Sequence, residues 1–195
     1  MTRLLIATTN PGKLREIRGI LVGVPVELVS LDAFPQIEEP EETGSTFAEN
    51  ARLKAISYSQ KTGLLAVADD SGIEIDALDG GPGVHSARWH GTDYPTKFAA
   101  IYRVLDQKEV ATSPARFVAH IAVADGPRIL FEGTGIVEGE ITREPRGTHG
   151  FGYDPIFSYP PYGCTLAEMD GECKAAVSHR GKAFRQLRAW LVKDH

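Results

Sequence analysis

Cysteine is scarce in this chain. Its two thiols, Cys164 and Cys173, stand nine residues apart with no CxxC pair and no histidine at metal-ligand spacing beside them. That pattern speaks against a disulfide framework and against a structural zinc site, and leaves free thiols in a reducing cytoplasm as the expectation. Long apolar runs are missing too. Nothing approaches the roughly 18 residues of a membrane span, and the opening MTRLLIATTNPGK has too short an apolar run and no cleavage signature for a signal peptide. Positive charge is in deficit, with 21 Lys and Arg against 26 Asp and Glu and a net charge of −5. This argues against a general binder of nucleic-acid polymers or membrane surfaces, which needs a basic face, and leaves room for a local basic pocket. Repeats, linkers and low-complexity tracts are absent as well. What remains is one domain over residues 1–195, with two lobes at most. It is long enough to bury about 70% of its unfolded surface without a covalent staple.

The pattern along the chain is α/β. Leu4 to Ala7 is a short apolar strand that runs into the turn Thr8, Thr9, Asn10, Pro11, Gly12 and Lys13. A helix follows, with Leu14, Ile17, Ile20 and Leu21 in phase and Gly23 as its stop. Strand, polar turn, helix is the arrangement that aims backbone N–H groups and a positive dipole end at an anion. The GxxxxGK[ST] spacing of a P-loop is not present. A capping Thr or Asn with Pro in the first turn accounts for most of TTNPGK structurally, but not for Lys13.

Val24 to Leu31 reads as a second strand, and the acidic stretch that follows, IEEPEETG, as a solvated loop for Glu38, Glu39 and Glu41. Glu42 differs because a helix begins directly after it. Thr46 and Glu49 form a capping box, and the helix runs to Gly63. On it, Asn50 and Lys54 lie four apart, where both side chains can meet one ligand. Helices are also expected at Tyr94 to Leu105 and from about Lys174 to Val192. Strands are expected at Arg116 to Ala124, Arg128 to Glu132 and Ile136 to Ile141, with turns at DGP and EGT. His120, in that sheet, reads as a satisfied core or edge histidine.

The centre of the chain is AVADDSGIEIDALDGGPGVHSAR, Ala66 to Arg88. An apolar strand delivers two adjacent carboxylates, Asp69 and Asp70, and Ser71 and Gly72 are expected to turn the chain before a second strand, Ile73 to Leu78. Successive strand residues face opposite ways, so the two aspartates cannot share one job. An ionised carboxylate is costly to bury without a partner. Taken alone, DDSG suits a solvated hairpin turn as well as a functional site. Further on, RGTHGFGYDPIF places three glycines among Phe151 and Tyr153 before Asp154, a pattern open either to close backbone approach and ring stacking on a base or to a Gly-rich hairpin. Lys174, His179 and Arg180 concentrate donors near the last helix.

Five segments, TTNPGK, FAENARLKA, ADDSGIEIDAL with GGPGVHSAR, GTHGFGYDPIF and SHRGKA, occur in the order and at the spacing of one family. From Leu4 to about Leu187 the chain resembles the inosine triphosphate pyrophosphatases, the RdgB/Ham1 group. The resemblance implies an elongated two-lobed α/β fold, with a long mixed β-sheet flanked by helices and a central active-site cleft, usually as a homodimer. It implies Mg²⁺-dependent cleavage of ITP, dITP and XTP between the α- and β-phosphates, clearing deaminated purines from the nucleotide pool. By the same resemblance, Thr8 to Lys13 would hold the triphosphate and Glu42 and Asp70 the metal, with Asp70 also the general base. Phe151, Gly152, Tyr153, Asp154, His179 and Arg180 would recognise the base, and Ser71 and Lys174 would be further substrate contacts. Lys54 and Asp69 match polar positions near the phosphates and are taken with Asp70 as the catalytic set. The chain departs from the family at His85, where an aromatic residue is common, and at GECK, where a more acidic run is usual.

The chemistry of these residues suits that reading. A triphosphate carries about four negative charges, which Lys13, Lys54, Lys174, Arg180 and Mg²⁺ would offset locally; Mg²⁺ takes only one or two carboxylates. Donors at His179 and Arg180 would satisfy the 6-oxo group of inosine or xanthosine and oppose the amino group of adenosine. Two other functions fit parts of the pattern: a Maf-like pyrophosphatase for modified pyrimidine nucleotides, and a nucleotide sensor without catalysis. The SHR and FGYD segments weigh against the first, and the carboxylate set beside a metal site against the second.

Overall fold

The computed structural model describes residues 2–193; Met1, Asp194 and His195 of the expected 1–195 domain lie outside the described residues. Seven strands form one mixed sheet: β1 (Arg3–Ile6), β2 (Glu27–Ser30), β3 (Leu65–Ile75), β4 (Pro114–Asp125), β5 (Arg128–Ile141), β6 (Phe157–Tyr159) and β7 (Cys164–Thr165). Their order across the sheet is β2-β1-β3-β4-β5-β6-β7. β1 runs parallel to both β2 and β3, whereas β6 is antiparallel to β5 and β7. Among the described residues five α-helices accompany them: α1 (Pro11–Ile20), α2 (Phe47–Thr62), α3 (Tyr94–Gln107), α4 (Gly171–Val177) and α5 (His179–Lys193).

The chain divides into two compact units, and β3, β4 and β5 contribute residues to both. The first unit comprises residues 1–70, 119–135 and 179–195. Strand alternation gives its part of the sheet two apolar faces. On one, Leu4, Ile6, Val67, Ile121 and Val123 pack with Ile17 of α1 and with Phe184, Leu187 and Leu191 of α5. On the other, Leu5, Ala7, Ala66, Ala68, Ala122 and Ala124 pack with Ala51, Ala55 and Tyr58 of α2. The second unit comprises residues 71–118 and 136–178. Ile73 and Ile75 of β3, Phe98, Ile101 and Leu105 of α3, Phe117 of β4 and Phe157 of β6 share its core.

Several expected boundaries move. Ser71 and Gly72 do not turn the chain, because β3 continues through them to Ile75. The physical reason is the core beyond: Ile73 and Ile75 are fully buried, and their backbone N–H groups donate to Ser86 Oγ and Gly81 O, both at 2.9 Å. Likewise the EGT segment does not break β5, which is continuous over fourteen residues. Gly135 is there for thinness, since a Cβ on it would run into the His179 carbonyl. The C-terminal helical region is two helices, not one. Ser178 adopts an extended conformation (φ −65°, ψ 156°), and its N–H closes α4 on Lys174 O at 2.8 Å. Helix α5 therefore begins at His179.

Local capping follows expectation. The Thr46–Glu49 capping box is formed in full, and Gly63 ends α2 in the left-handed region. His120 is satisfied, its ring nitrogens lying 2.8 Å from Thr134 Oγ1 and 3.0 Å from Glu132 Oε1. At the start of α3, Asp93 Oδ2 accepts from Thr96 Oγ1 at 2.7 Å and from Thr96 N at 2.9 Å.

These two bonds hold the Asp93 carboxyl below the ordinary aspartate value of 3.8. A depressed folded-state pKa contributes stability above the unfolded value that is lost as pH falls through the folded one. Asp93→Ala is therefore expected to lower the thermal midpoint at pH 7 by about 2–4 °C. The gap to the wild-type midpoint should narrow in acid below the ordinary aspartate value, and calorimetric scans across pH would expose a gap that does not.

Candidate active site

The site is built on the point where β1 stops and β3 carries on. The parallel pairing ends at Ile6 with Val67, and Ala7 N donates to Val67 O at 2.8 Å. Beyond that, β1 gives way to the Thr8–Lys13 turn, so β3 presents Asp69 and Asp70 beside the carboxyl end of its neighbour, where α/β sheets collect ligands. Alternation continues from the core. Asp69 shares the Val67 face and meets α1 and α5; Asp70 shares the Ala66 and Ala68 face and meets α2.

Asp69 is fully enclosed. Its Oδ2 lies 3.1 Å from Lys13 Nζ, 3.2 Å from Arg180 Nη2 and 3.3 Å from Arg180 Nε. Arg180 Nη1 also donates to Glu16 Oε2 at 2.6 Å. Burial pushes the Asp69 pKa up, but Lys13, Arg180 and Lys54 together outweigh it and hold the group far below the usual carboxylate range. Asp69 is a fixed anion. For Lys13, burial, helped by the nearby charges of Arg180 and Lys54, lowers the pKa against the pull of Asp69. The α1 N-terminus is capped from within: Asn10 Oδ1 accepts from Gly12 N at 2.8 Å and from Lys13 N at 3.1 Å, and Asn10 N donates to Thr8 Oγ1. Pro11 fills the first turn.

Asp70 has a different set of partners. Lys54 Nζ lies 3.2 Å from its Oδ1 and 2.6 Å from Glu42 Oε1, so one ammonium bridges two carboxylates. Asn50 Nδ2 donates to Asp70 Oδ2 at 3.1 Å, while Asn50 Oδ1 accepts from Gly44 N at 2.8 Å. Asn50 thus clasps the acidic loop to β3. The loop lies close enough that a Cβ on Gly44 would stand 2.7 Å from Asn50 Oδ1. Burial raises the Asp70 pKa, and the neighbouring charge of Glu42 adds to it against Lys54 and Asn50. For Lys54, burial is outweighed by Asp70, Asp69 and Glu42, which raise its pKa. Glu42 is half-buried, whereas Glu38, Glu39 and Glu41 are exposed as a solvated loop requires.

In the second unit, Lys174 Nζ lies 2.6 Å from Asp154 Oδ2 and 4.9 Å from the centre of the Phe151 ring. Asp154 Oδ2 also accepts from Phe151 N at 2.8 Å. Gly150 must be glycine here: its φ is +72°, and a Cβ would collide with Asp154 Oδ2. Tyr153 is buried, with its hydroxyl donating to Ser86 O at 2.8 Å.

The Ham1 family model matches residues 4–190. The chain belongs to the Ham1 family. It is 47% identical to the dITP/XTP pyrophosphatase of Geobacter sulfurreducens over all of this chain and 96% of that one. It is 46% identical to the enzyme of the same name from Streptomyces coelicolor, covering 96% of each chain. Among solved structures, the HAM1 protein of Coxiella burnetii superposes with a TM-score of 0.90 at 39% identity, covering 99% of this chain and all of that one. The dITP/XTP pyrophosphatase of Mycobacterium abscessus gives 0.72 at 42% identity, covering 97% and 99%.

For a Ham1 chain, the first unit brings together most of the expected set: Thr8 to Lys13, Glu42, Lys54, Asp69, Asp70, His179 and Arg180. The second holds Ser71, Phe151 to Asp154 and Lys174. Lys174 does not join His179 and Arg180 in one helix, because the break at Ser178 separates them. Tyr153 directs its ring into the core, so a ligand contact there falls to its backbone. Glu16 is missing from the expected set, because its partner Arg180 is remote in sequence and no local pattern marks the pair.

Asp69→Asn leaves the charges of Lys13 and Arg180 enclosed against a neutral amide. The expected loss of unfolding free energy is about 3–5 kcal/mol, the usual result of removing one partner from a buried pair. Urea denaturation at neutral pH measures it, and a loss under about 1 kcal/mol, as for an exposed pair, would contradict the arrangement.

Proposed function

We propose that the chain is a metal-dependent nucleoside triphosphate pyrophosphohydrolase that converts ITP, dITP and XTP to the monophosphate and pyrophosphate. One observation carries this reading: two adjacent carboxylates on β3 face opposite ways, one held through its Oδ2 by Lys13 and Arg180, the other sharing a single cation with Glu42. Its Ham1 relatives named dITP/XTP pyrophosphatase support dITP and XTP among these substrates.

Glu42 and Asp70 fit a magnesium ion. They are hard oxygen donors already held on either side of a positive charge, the Lys54 ammonium. Among the described residues no group of three or more His, Cys, Asp or Glu gathers as a metal cage. Two carboxylates with phosphate and water completing the shell is the magnesium pattern. The ion would supply positive charge to the phosphate oxygens and make water more acidic.

The remaining work falls to the chain. Lys13 and the Thr8–Gly12 turn receive the triphosphate, and Lys54 neutralises charge that develops on it. Asp69 acts by position, fixing the Lys13 ammonium. Asp70 orients a water and accepts its proton as the water oxygen bonds to the α-phosphorus. The α–β phosphoanhydride bond breaks on the opposite side and pyrophosphate leaves. Such alignment and neutralisation provide most of the rate in phosphoryl transfer. His179 and Arg180 are proposed to favour a 6-oxo purine over adenine, with Ser71, Phe151 to Asp154 and Lys174 as further substrate contacts. A homodimer in the cytoplasm completes the proposal. Cys164 and Cys173 are both free thiols, as a reducing compartment favours, and no helix among the described residues is long and apolar enough to cross a membrane.

A pyrophosphate-release assay over ITP, XTP, GTP and ATP tests this reading. Release from ITP and XTP with Mg²⁺, little from ATP, and none after chelation is the expected result; equal rates with ATP would refute it. Asp70→Asn should cut kcat on ITP by about 10²-fold or more with KM little changed. Near wild-type turnover would remove Asp70 as the base.

A further inference from the structure

Lys97, on the first turns of α3, is fully buried, yet among the described residues no carboxylate pairs with it. Its Nζ donates to Ala87 O at 2.7 Å and to Ser86 O at 3.1 Å. It also lies 4.5 Å from the centre of the Tyr94 ring and 5.7 Å from that of Tyr153. Burying an ammonium costs a great deal unless it is hydrogen-bonded, and an apolar side chain would fill this space more cheaply. Structure alone does not require a lysine here, so the charge calls for another use.

The acceptors indicate that use. Ser86 O takes a second bond from Tyr153 Oη at 2.8 Å, so one carbonyl joins Lys97 to the Phe151–Asp154 segment. Tyr94 and Tyr153 meet edge to face with ring centres 5.3 Å apart. Tyr94 also reaches the neighbouring residue, since a Cβ on Gly152 would stand 3.4 Å from its Oη. The same Ser86 is tied to β3, its Oγ accepting from Ile73 N and donating to Gly83 O at 2.6 Å. One cation thus holds the Ser86–Ala87 backbone and, through it and two rings, the Gly152–Tyr153 backbone.

We propose that Lys97 is a positioning residue for purine recognition, fixing the Phe151–Asp154 segment in the conformation that contacts the base. The proposal rests on the assignment of that segment to substrate binding. Lys97 itself touches no substrate, so its loss should weaken nucleotide binding and spare the chemical step.

Lys97→Met, of similar length without charge, tests it in the full chain. The expected result is a KM for ITP raised about tenfold with kcat within about twofold of wild type. Hydrogen exchange supplies the second readout: the Phe151 and Asp154 amides, bonded to Asp154 Oδ2 and Phe151 O, should exchange about tenfold faster. An unchanged KM in the folded variant overturns the proposal, as does unchanged exchange at both amides. If wild-type protein releases no pyrophosphate from ITP, the functional assignment fails while the exchange measurement still decides whether Lys97 holds the segment. Should Lys97→Met not fold, Tyr153→Phe removes only the hydroxyl bond to Ser86 O. Faster exchange at the same amides then supports the proposal, and unchanged exchange overturns it.

Discussion

The ion cluster around Asp69 is the constraint to which the first unit's site answers. A carboxylate enclosed this fully stays charged only because two cations from two helices converge on it. That convergence sets where α1 and α5 stand over β3, and Glu16 closes the far side of Arg180. Asp69 is kept ionised by its cations far below the usual carboxylate range. It keeps an ammonium at the mouth of the Thr8–Lys13 turn in a protein whose net charge is −5.

One peptide bond away, the situation reverses. Asp70 sits among fewer cations, shares its ammonium with Glu42, and is pushed by burial toward protonation. Two identical side chains thus acquire separate surroundings because strand alternation turns them to opposite faces. Asn50 makes that arrangement a unit, joining the acidic loop to Asp70 by one amide. The acid loop, α2 and β3 are therefore fastened at the carboxylate proposed as the base.

Much of this was legible in the residues. The Thr46–Glu49 capping box, the opposed aspartates and the i, i+4 pair Asn50 and Lys54 are short-range patterns, and the last two side chains both reach Asp70. What sequence pattern misjudged were glycines and two serines. Ser71–Gly72 and the EGT glycines look like turns because that is their commonest use, yet here they lie within continuous strands, Gly133 and Gly135 against close neighbours. Ser178 breaks a helix that apolar periodicity alone would continue. Glu16 and Lys97 escaped notice because their partners are distant in sequence or are backbone oxygens. Lys97 even falls on the apolar stripe of its helix with Tyr94, Phe98 and Ile101, the position where a lysine is least expected.

The face of the sheet under α2 is made largely of alanine methyl groups: Ala7, Ala66, Ala68, Ala122 and Ala124 below, beside Leu5 and Val29, with Ala51 and Ala55 above, beside Tyr58. Their small volume fixes how near the helix axis comes to the strands, and hence how far the lysine stem must reach to span its two oxygens. Relatives with identical polar residues but a bulkier apolar layer would hold that ammonium at a different height. Differences in turnover between such relatives could then originate in hydrocarbon that never meets a nucleotide.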